Sequence, residues 1–309
     1  MENIILLHPK SQPKKIYWTD RFKVLFDLIC SNFGFEVYVS QASRPISEGA
    51  KTIILYGWET NFPPFDCFSN KAKVICYLHD MHYAKKHNPL RIEELLNRCD
   101  KILVPYFSYF VKNWPQFIDK AVFFPHFFAP HSRYVNLPFN VDPKIKCLLS
   151  GQYHESYPIR NMILESVRKG GGCREIIDVL GHPRFGKNQF YTRKYSGKGN
   201  DYAKCLNEYF CCVTDSSKFE FMLTKYFEIP ATGSLLLANE TEDSKALGFV
   251  PWKHFVPITL DDALSQIIDC LNNPNKYQEI RKEGMRFVRE NHSVLNRISQ
   301  LKSVLEEMK

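Results

Sequence analysis

The 309-residue chain has no apolar run near the roughly 18 residues that a spanning helix requires, which excludes a helical membrane protein. Its opening residues, Met1 to His8, lack a basic stretch, and their apolar run is too short for a secretory signal. None of its ten cysteines forms a C-x-x-C pair. Only Cys211 and Cys212 adjoin, and on a strand they point to opposite faces. This usage speaks against a zinc site or a disulfide framework and for reduced thiols in the cytoplasm. Basic residues form no block beyond Lys14-Lys15 and Lys85-Lys86, and no RNA-binding or helix-turn-helix signature is present. No nucleic-acid partner is therefore expected. Gly170-Gly171-Gly172 follows a helical pattern and lacks the Lys-Ser/Thr of a phosphate loop, so it reads as a turn. There is no internal repeat.

What is present suits a soluble enzyme-sized chain. Apolar residues make up 44% and charged residues 24%, an ordinary globular balance, and the length fits two medium domains better than one core. The formal charge of +8 suits an anionic partner, such as a nucleoside diphosphate or an anionic membrane surface, and a solvated basic face fits equally. Aromatic residues are abundant at 14%; they offer platforms for sugar rings, although packing is their commoner use.

Short β-branched and aromatic runs alternate with helical patterns along the whole chain, which predicts parallel sheets covered by helices. Strands are expected at Ile4–His8, Phe35–Val39, Thr52–Tyr56, Val74–Leu78, Lys101–Pro105 and Ala121–Phe124. Ala129–Pro143 carries no period and reads as a linker. The pattern restarts with strands at Ile145–Ser150, Glu175–Leu180, Tyr209–Thr214 and Ser234–Ala238, and helices follow to the end. The expected organisation is an N-terminal domain over residues 1–142, a second over 143–291, and a final helix over 292–309 that returns to the first.

The segment Lys218–Asn239 is the most informative. It places Glu220 and Glu228 eight residues apart around Lys225, then passes through Ala231-Thr232-Gly233-Ser234 into an apolar strand. On one regular helix two carboxylates so spaced diverge by about 80°. They serve one extended ligand if Glu220 sits in the loop or first turn and Glu228 lies deeper on the helix. One carboxylate for sugar hydroxyls, one for a ribose and a helix end for a diphosphate would make a nucleotide-sugar site.

This segment resembles the Glu-x7-Glu region of retaining glycosyltransferases of the GT-B fold. The string Lys225-x-Phe227-Glu228-x-x-Ala231-x-Gly233 is similar to the core of the "glycosyl transferases group 1" domain in spore-maturation-type enzymes. The helix, Pro274, helix, Gly284 and Val288-x-x-x-His292 ending follows the same family. The resemblance implies an α/β GT-B architecture: two doubly wound Rossmann-like domains facing a cleft, with the C-terminal helix crossing back. It implies Glu220 for the donor sugar, Glu228 for the ribose, and backbone N–H groups of Phe221, Met222, Leu223 and Thr224 for the phosphates.

Other candidates follow strands, where open α/β sheets place ligands. Gly151 lets backbone approach a phosphate, and Arg160 can pair with a diphosphate, joined by Lys225. Gln152 stands where the family usually has a basic residue. His79 resembles the histidine that faces the donor sugar. The His79-Asp80-x-His82 spacing alone makes a weak metal site, and neither metal nor other cofactor is expected. Trp58, Asp80 and His126 are candidates for the acceptor side.

The expected activity is transfer of a sugar from a nucleotide-diphosphate donor to a glycan or glycoconjugate hydroxyl, with retention. A non-catalytic nucleotide-sugar or glycan-binding module, and an epimerase or hydrolase on the same fold, stay open. Peripheral membrane association is compatible with the charge.

Overall fold

Strands β3 (Thr52–Tyr56) and β4 (Lys73–Tyr77) show why a parallel sheet forms here. Ile53, Ile54 and Leu55 are all buried, as are Val74, Ile75, Cys76 and Tyr77, so these strands are covered on both faces. A computed structural model describes residues 3–7, 20–39, 50–57, 71–79, 81–87, 89–128, 131–181 and 199–309. Within it the chain divides into two compact units, Met1–Pro125 with Val294–Lys309, and His126–Ser293.

The first unit holds six parallel strands in the order β2-β1-β3-β4-β5-β6. The outer members are β1 (Asn3–Leu7), β2 (Phe35–Val39), β5 (Lys101–Val104) and β6 (Ala121–Phe123). Helix α1 (Asp20–Phe33) buries Phe22, Leu25, Phe26 and Ile29, an i, i+3, i+4, i+7 stripe. Short helices α2 (Met81–His87), α3 (Pro89–Arg98) and α4 (Phe107–Asn113) link the later strands.

The second unit holds five parallel strands in the order β11-β10-β9-β7-β8. In chain order its elements are α5 (His131–Val135), β7 (Lys144–Gly151), α6 (Pro158–Lys169), α7 (Gly172–Ile176), β8 (Ile177–Gly181), α8 (Gly199–Asn207) and β9 (Tyr209–Val213). Then come α9 (Lys225–Ala231), β10 (Leu235–Ala238), α10 (Glu242–Ala246), β11 (Val256–Pro257), α11 (Ala263–Asn272) and α12 (Pro274–Asn291). Alternation divides its strands between two core layers. Cys147, Leu149, Cys211, Val213, Leu235 and Leu237 face one layer, and Leu148, Cys212, Leu236 and Ala238 the other. The adjacent Cys211 and Cys212 thus point to opposite faces. The last helix, α13 (Val294–Glu307), packs on α1 of the first unit, and Gln300 Nε2 donates to Phe123 O (2.5 Å).

The structure corrects two expectations. Residues 131–143 are not a linker: they pack into the second unit, tied by Arg289 to the carbonyls of Tyr134, Val135 and Leu137 and by Asn207 to Pro138 O. The strand expected from Glu175 begins at Ile177, because Gly172–Ile176 closes a helical turn first. Helix α9 begins at Lys225, which leaves Glu220 in the preceding loop and Glu228 on the helix. The expected Gly/Lys-rich loop over 182–198 lies outside the described residues. Among the described residues no helix is long and apolar enough to cross a membrane.

Candidate functional site

In the second sheet the chain leaves β7 toward β8 on one side and then returns to build β9 on the other. Connections that depart in opposite directions open a crevice beyond the carboxyl ends of β7 and β9. Gly151 ends β7, and Asp215 lies two residues past β9. Asp215 is buried and uses both oxygens. Oδ1 accepts from Arg160 Nε (2.6 Å), while Oδ2 accepts from the backbone N–H groups of Ile159 (2.9 Å) and Arg160 (3.3 Å). One carboxylate therefore satisfies the first turn of α6 and fixes the Arg160 guanidinium. That guanidinium also stacks on Tyr157, 3.9 Å from the ring centroid.

Gly151 explains how two cations reach the strand end. Its φ is +115°, and a Cβ there would lie 2.7 Å from Arg160 Nη1 and 2.8 Å from Lys225 Nζ. Both cations thus converge on one point above the Gly151 backbone. Asp215 balances the Arg160 charge from below, and the Lys225 ammonium adds a second cation beside it. The buried Arg160 Nη2 makes no hydrogen bond among the described residues.

The loop between β9 and α9 is anchored at both ends. Ser216 N donates to Asn239 Oδ1 (2.7 Å), and Asn239 Nδ2 donates to Ser216 Oγ (2.7 Å). Tyr226 Oη closes the network on Asn239 O (2.7 Å). Within this loop Glu220 is exposed and left-handed at φ 61°, an uncommon conformation for a residue with a Cβ. Phe221 and Met222 bury their side chains, which pins the loop to the core. The N–H groups of Met222 and Leu223 make no hydrogen bond within the described residues.

On α9, Lys225 and Glu228 lie one turn apart on the same face, and Tyr226 and Phe227 are buried on the other side. Glu228 Oε1 accepts a hydrogen bond from the Tyr134 hydroxyl (3.3 Å). Tyr202 pairs its hydroxyl with Ser150 Oγ (3.1 Å). Burial first, and the Glu228 charge second, push its phenol well above the usual range, so Tyr202 stays protonated.

The structure brings Gly151, Arg160 and Lys225 together, with Glu228 one turn along from Lys225. Gln152 Oε1 lies 3.2 Å from His154 Nε2. His79 belongs to the first unit, where Phe22, Tyr77 and Tyr106 surround its ring. His126 is 1% exposed at the start of the second unit. Trp58 and Asp80 lie outside the described residues. Sequence reasoning missed Asp215, Tyr134, Tyr202 and Asn239. Asp215 carried a signal, since it follows a strand directly, as the chosen candidates do. Among the described residues no group of three His, Cys, Asp or Glu side chains converges as a metal site would require.

Two Rossmann-like units of parallel strands, the second with a pair of cations at its switch point, have the architecture of the GT-B fold of glycosyltransferases. The sequence agrees: residues 160–303 match a family described as glycosyl transferase-like. Solved structures with this architecture include TarM of S. aureus, at 14% identity and TM-score 0.61 over 83% of this chain and 55% of that one. HepE of Anabaena, solved in complex with UDP, has 9% identity and TM-score 0.68 over 99% of this chain and 100% of that one. An alpha-glucosyltransferase in complex with UDP-glucose and DNA has 10% identity and TM-score 0.62 over 99% of each. The chain therefore spans just over half of TarM's length and all of HepE's, and at these identities the likeness is one of fold. No curated protein sequence matches the chain.

Proposed function

We propose that the second unit binds a nucleotide-diphosphate sugar and that the protein transfers the sugar to a hydroxyl of a glycan or glycoconjugate. The observation that carries this reading is the convergence of Arg160 and Lys225 over Gly151, at the switch point of the sheet. Arg160 and Lys225 take the diphosphate oxygens, and the Met222 and Leu223 N–H groups add donors. Glu228 accepts from the ribose and Glu220 from the sugar. Uridine is the first base to test, because HepE and the alpha-glucosyltransferase were solved with UDP or UDP-glucose.

In this mechanism the two cations stabilise charge on the departing diphosphate, and the fixed Asp215–Arg160 pair spares the site reorganisation during reaction. No carboxylate is assigned as a covalent nucleophile. The acceptor attacks the face the diphosphate leaves, which helps remove the acceptor proton, and the configuration is retained. Arg160 and Lys225 supply the positive charge that a divalent ion would otherwise bring, so metal is not required.

The test is calorimetric titration with UDP and a panel of UDP-sugars, followed by product analysis with and without acceptor sugars. Binding that Lys225→Ala weakens at least tenfold, with sugar released only to an acceptor, is the expected result. Sugar release to water alone indicates a hydrolase, and binding without turnover indicates a binding module. Loss of turnover in EDTA, restored by a divalent ion, overturns the metal-free step.

A further inference from the structure

Glu228 does not stand alone on α9. Its Oε1 accepts the hydroxyl of Tyr134, a buried residue 94 positions earlier in the chain. Both partners are set by one side chain of α12. Arg289 Nε donates to Ala231 O (2.9 Å), at the end of the helix that carries Glu228. Its Nη2 donates to Tyr134 O (2.6 Å) and Leu137 O (2.8 Å), and its Nη1 to Val135 O (3.2 Å). A single guanidinium thus caps the carboxyl ends of two short helices and fixes one against the other. Burial lowers the Arg289 pKa to about 10, still cationic at neutral pH. Phe128 packs on Tyr134 with ring centroids 5.5 Å apart, which fixes the phenol from another side.

A glutamate side chain left to itself loses rotamer freedom when it binds a ligand. One already held by a buried phenol has lost that freedom beforehand, and its carboxylate plane is set before the ligand arrives.

We propose that Tyr134 is a positioning residue for ribose recognition: by holding Oε1 of Glu228 it sets the direction in which the carboxylate accepts a ribose hydroxyl. The proposal rests on the nucleotide-sugar reading of this site. It predicts that the phenol hydroxyl acts on the ribose alone, leaving the diphosphate contacts of Arg160 and Lys225 untouched.

The experiment titrates wild type, Tyr134→Phe, Glu228→Gln and the double variant with UDP, 2′-deoxy-UDP, 3′-deoxy-UDP and inorganic pyrophosphate. Wild type is expected to favour UDP over at least one deoxy analogue. Tyr134→Phe should weaken UDP about fivefold, leave pyrophosphate unchanged and narrow the UDP-to-deoxy ratio. In the Glu228→Gln background the same change should have no further effect, as it must if Tyr134 acts through Glu228. Unchanged UDP affinity, or equal weakening of all four ligands, overturns the positioning role. A wild type that binds UDP and both deoxy analogues alike removes the ribose role of Glu228 and the proposal with it, while the diphosphate site stands. A wild type that binds none of the four overturns the nucleotide reading itself.

Discussion

An alanine at position 151 would push its Cβ into both Arg160 and Lys225 while holding a left-handed φ. Gly151→Ala should therefore displace both cations and weaken nucleotide binding by about tenfold or more, while the strained backbone costs roughly 1–2 kcal/mol of folding stability. Calorimetric titration with UDP checks this. The two cations should separate cleanly when each is removed. Arg160→Ala leaves the Asp215 carboxylate buried without its ion partner, and chemical denaturation should show a loss of about 3–5 kcal/mol. Lys225→Ala, on a half-buried side chain, should keep most of the stability and lose the binding. Gly151, Arg160, Lys225 and Glu228 were legible in the sequence because each follows a strand or sits in a motif. Asp215 offered only its place after a strand, because its partner lies 55 residues earlier and no local pattern links the two.

At the scale of elements, α12 meets a neighbouring turn at very close range. A Cβ on Gly284 would lie 2.4 Å from the His254 carbonyl, so helix and turn touch backbone to backbone. Gly284→Ala gains helix propensity but must force them apart, and a net loss of about 1–3 kcal/mol is expected in denaturant unfolding. The same turn carries a pH dependence. His254 Nδ1 accepts from Val250 N (3.1 Å), and the ring stacks on Phe287 at 4.1 Å. Burial lowers its pKa below the usual value, so the unfolded chain takes up the proton first. Stability is then full above about pH 6.5 and falls as pH drops toward the folded pKa. Between pH 7.5 and 5.5 the Tm of wild type should fall further than that of His254→Gln. The strands of both sheets were readable as apolar runs buried on two faces. Helix α5 was not, because its five residues have no period of their own and are held by Arg289, some 155 positions away.

For the whole molecule, the informative fact is that the first unit takes residues from both ends of the chain. Helix α13 buries Val294, Ile298, Leu301 and Val304. At about 1.5–3 kcal/mol for each buried aliphatic side chain, their combined burial rivals the whole stability of a small domain. Deleting residues 294–309 should unfold the first unit, seen as protease cleavage within residues 1–125. Nucleotide binding by the second unit should survive, which titration with UDP measures.

That division also orders the protein's synthesis. The second unit is complete once Ser293 has left the ribosome, whereas the first, although translated earlier, waits for Val294–Lys309. Of the two units, the one begun earlier is thus finished later, with the face of α1 that receives α13 uncovered throughout translation of the second unit.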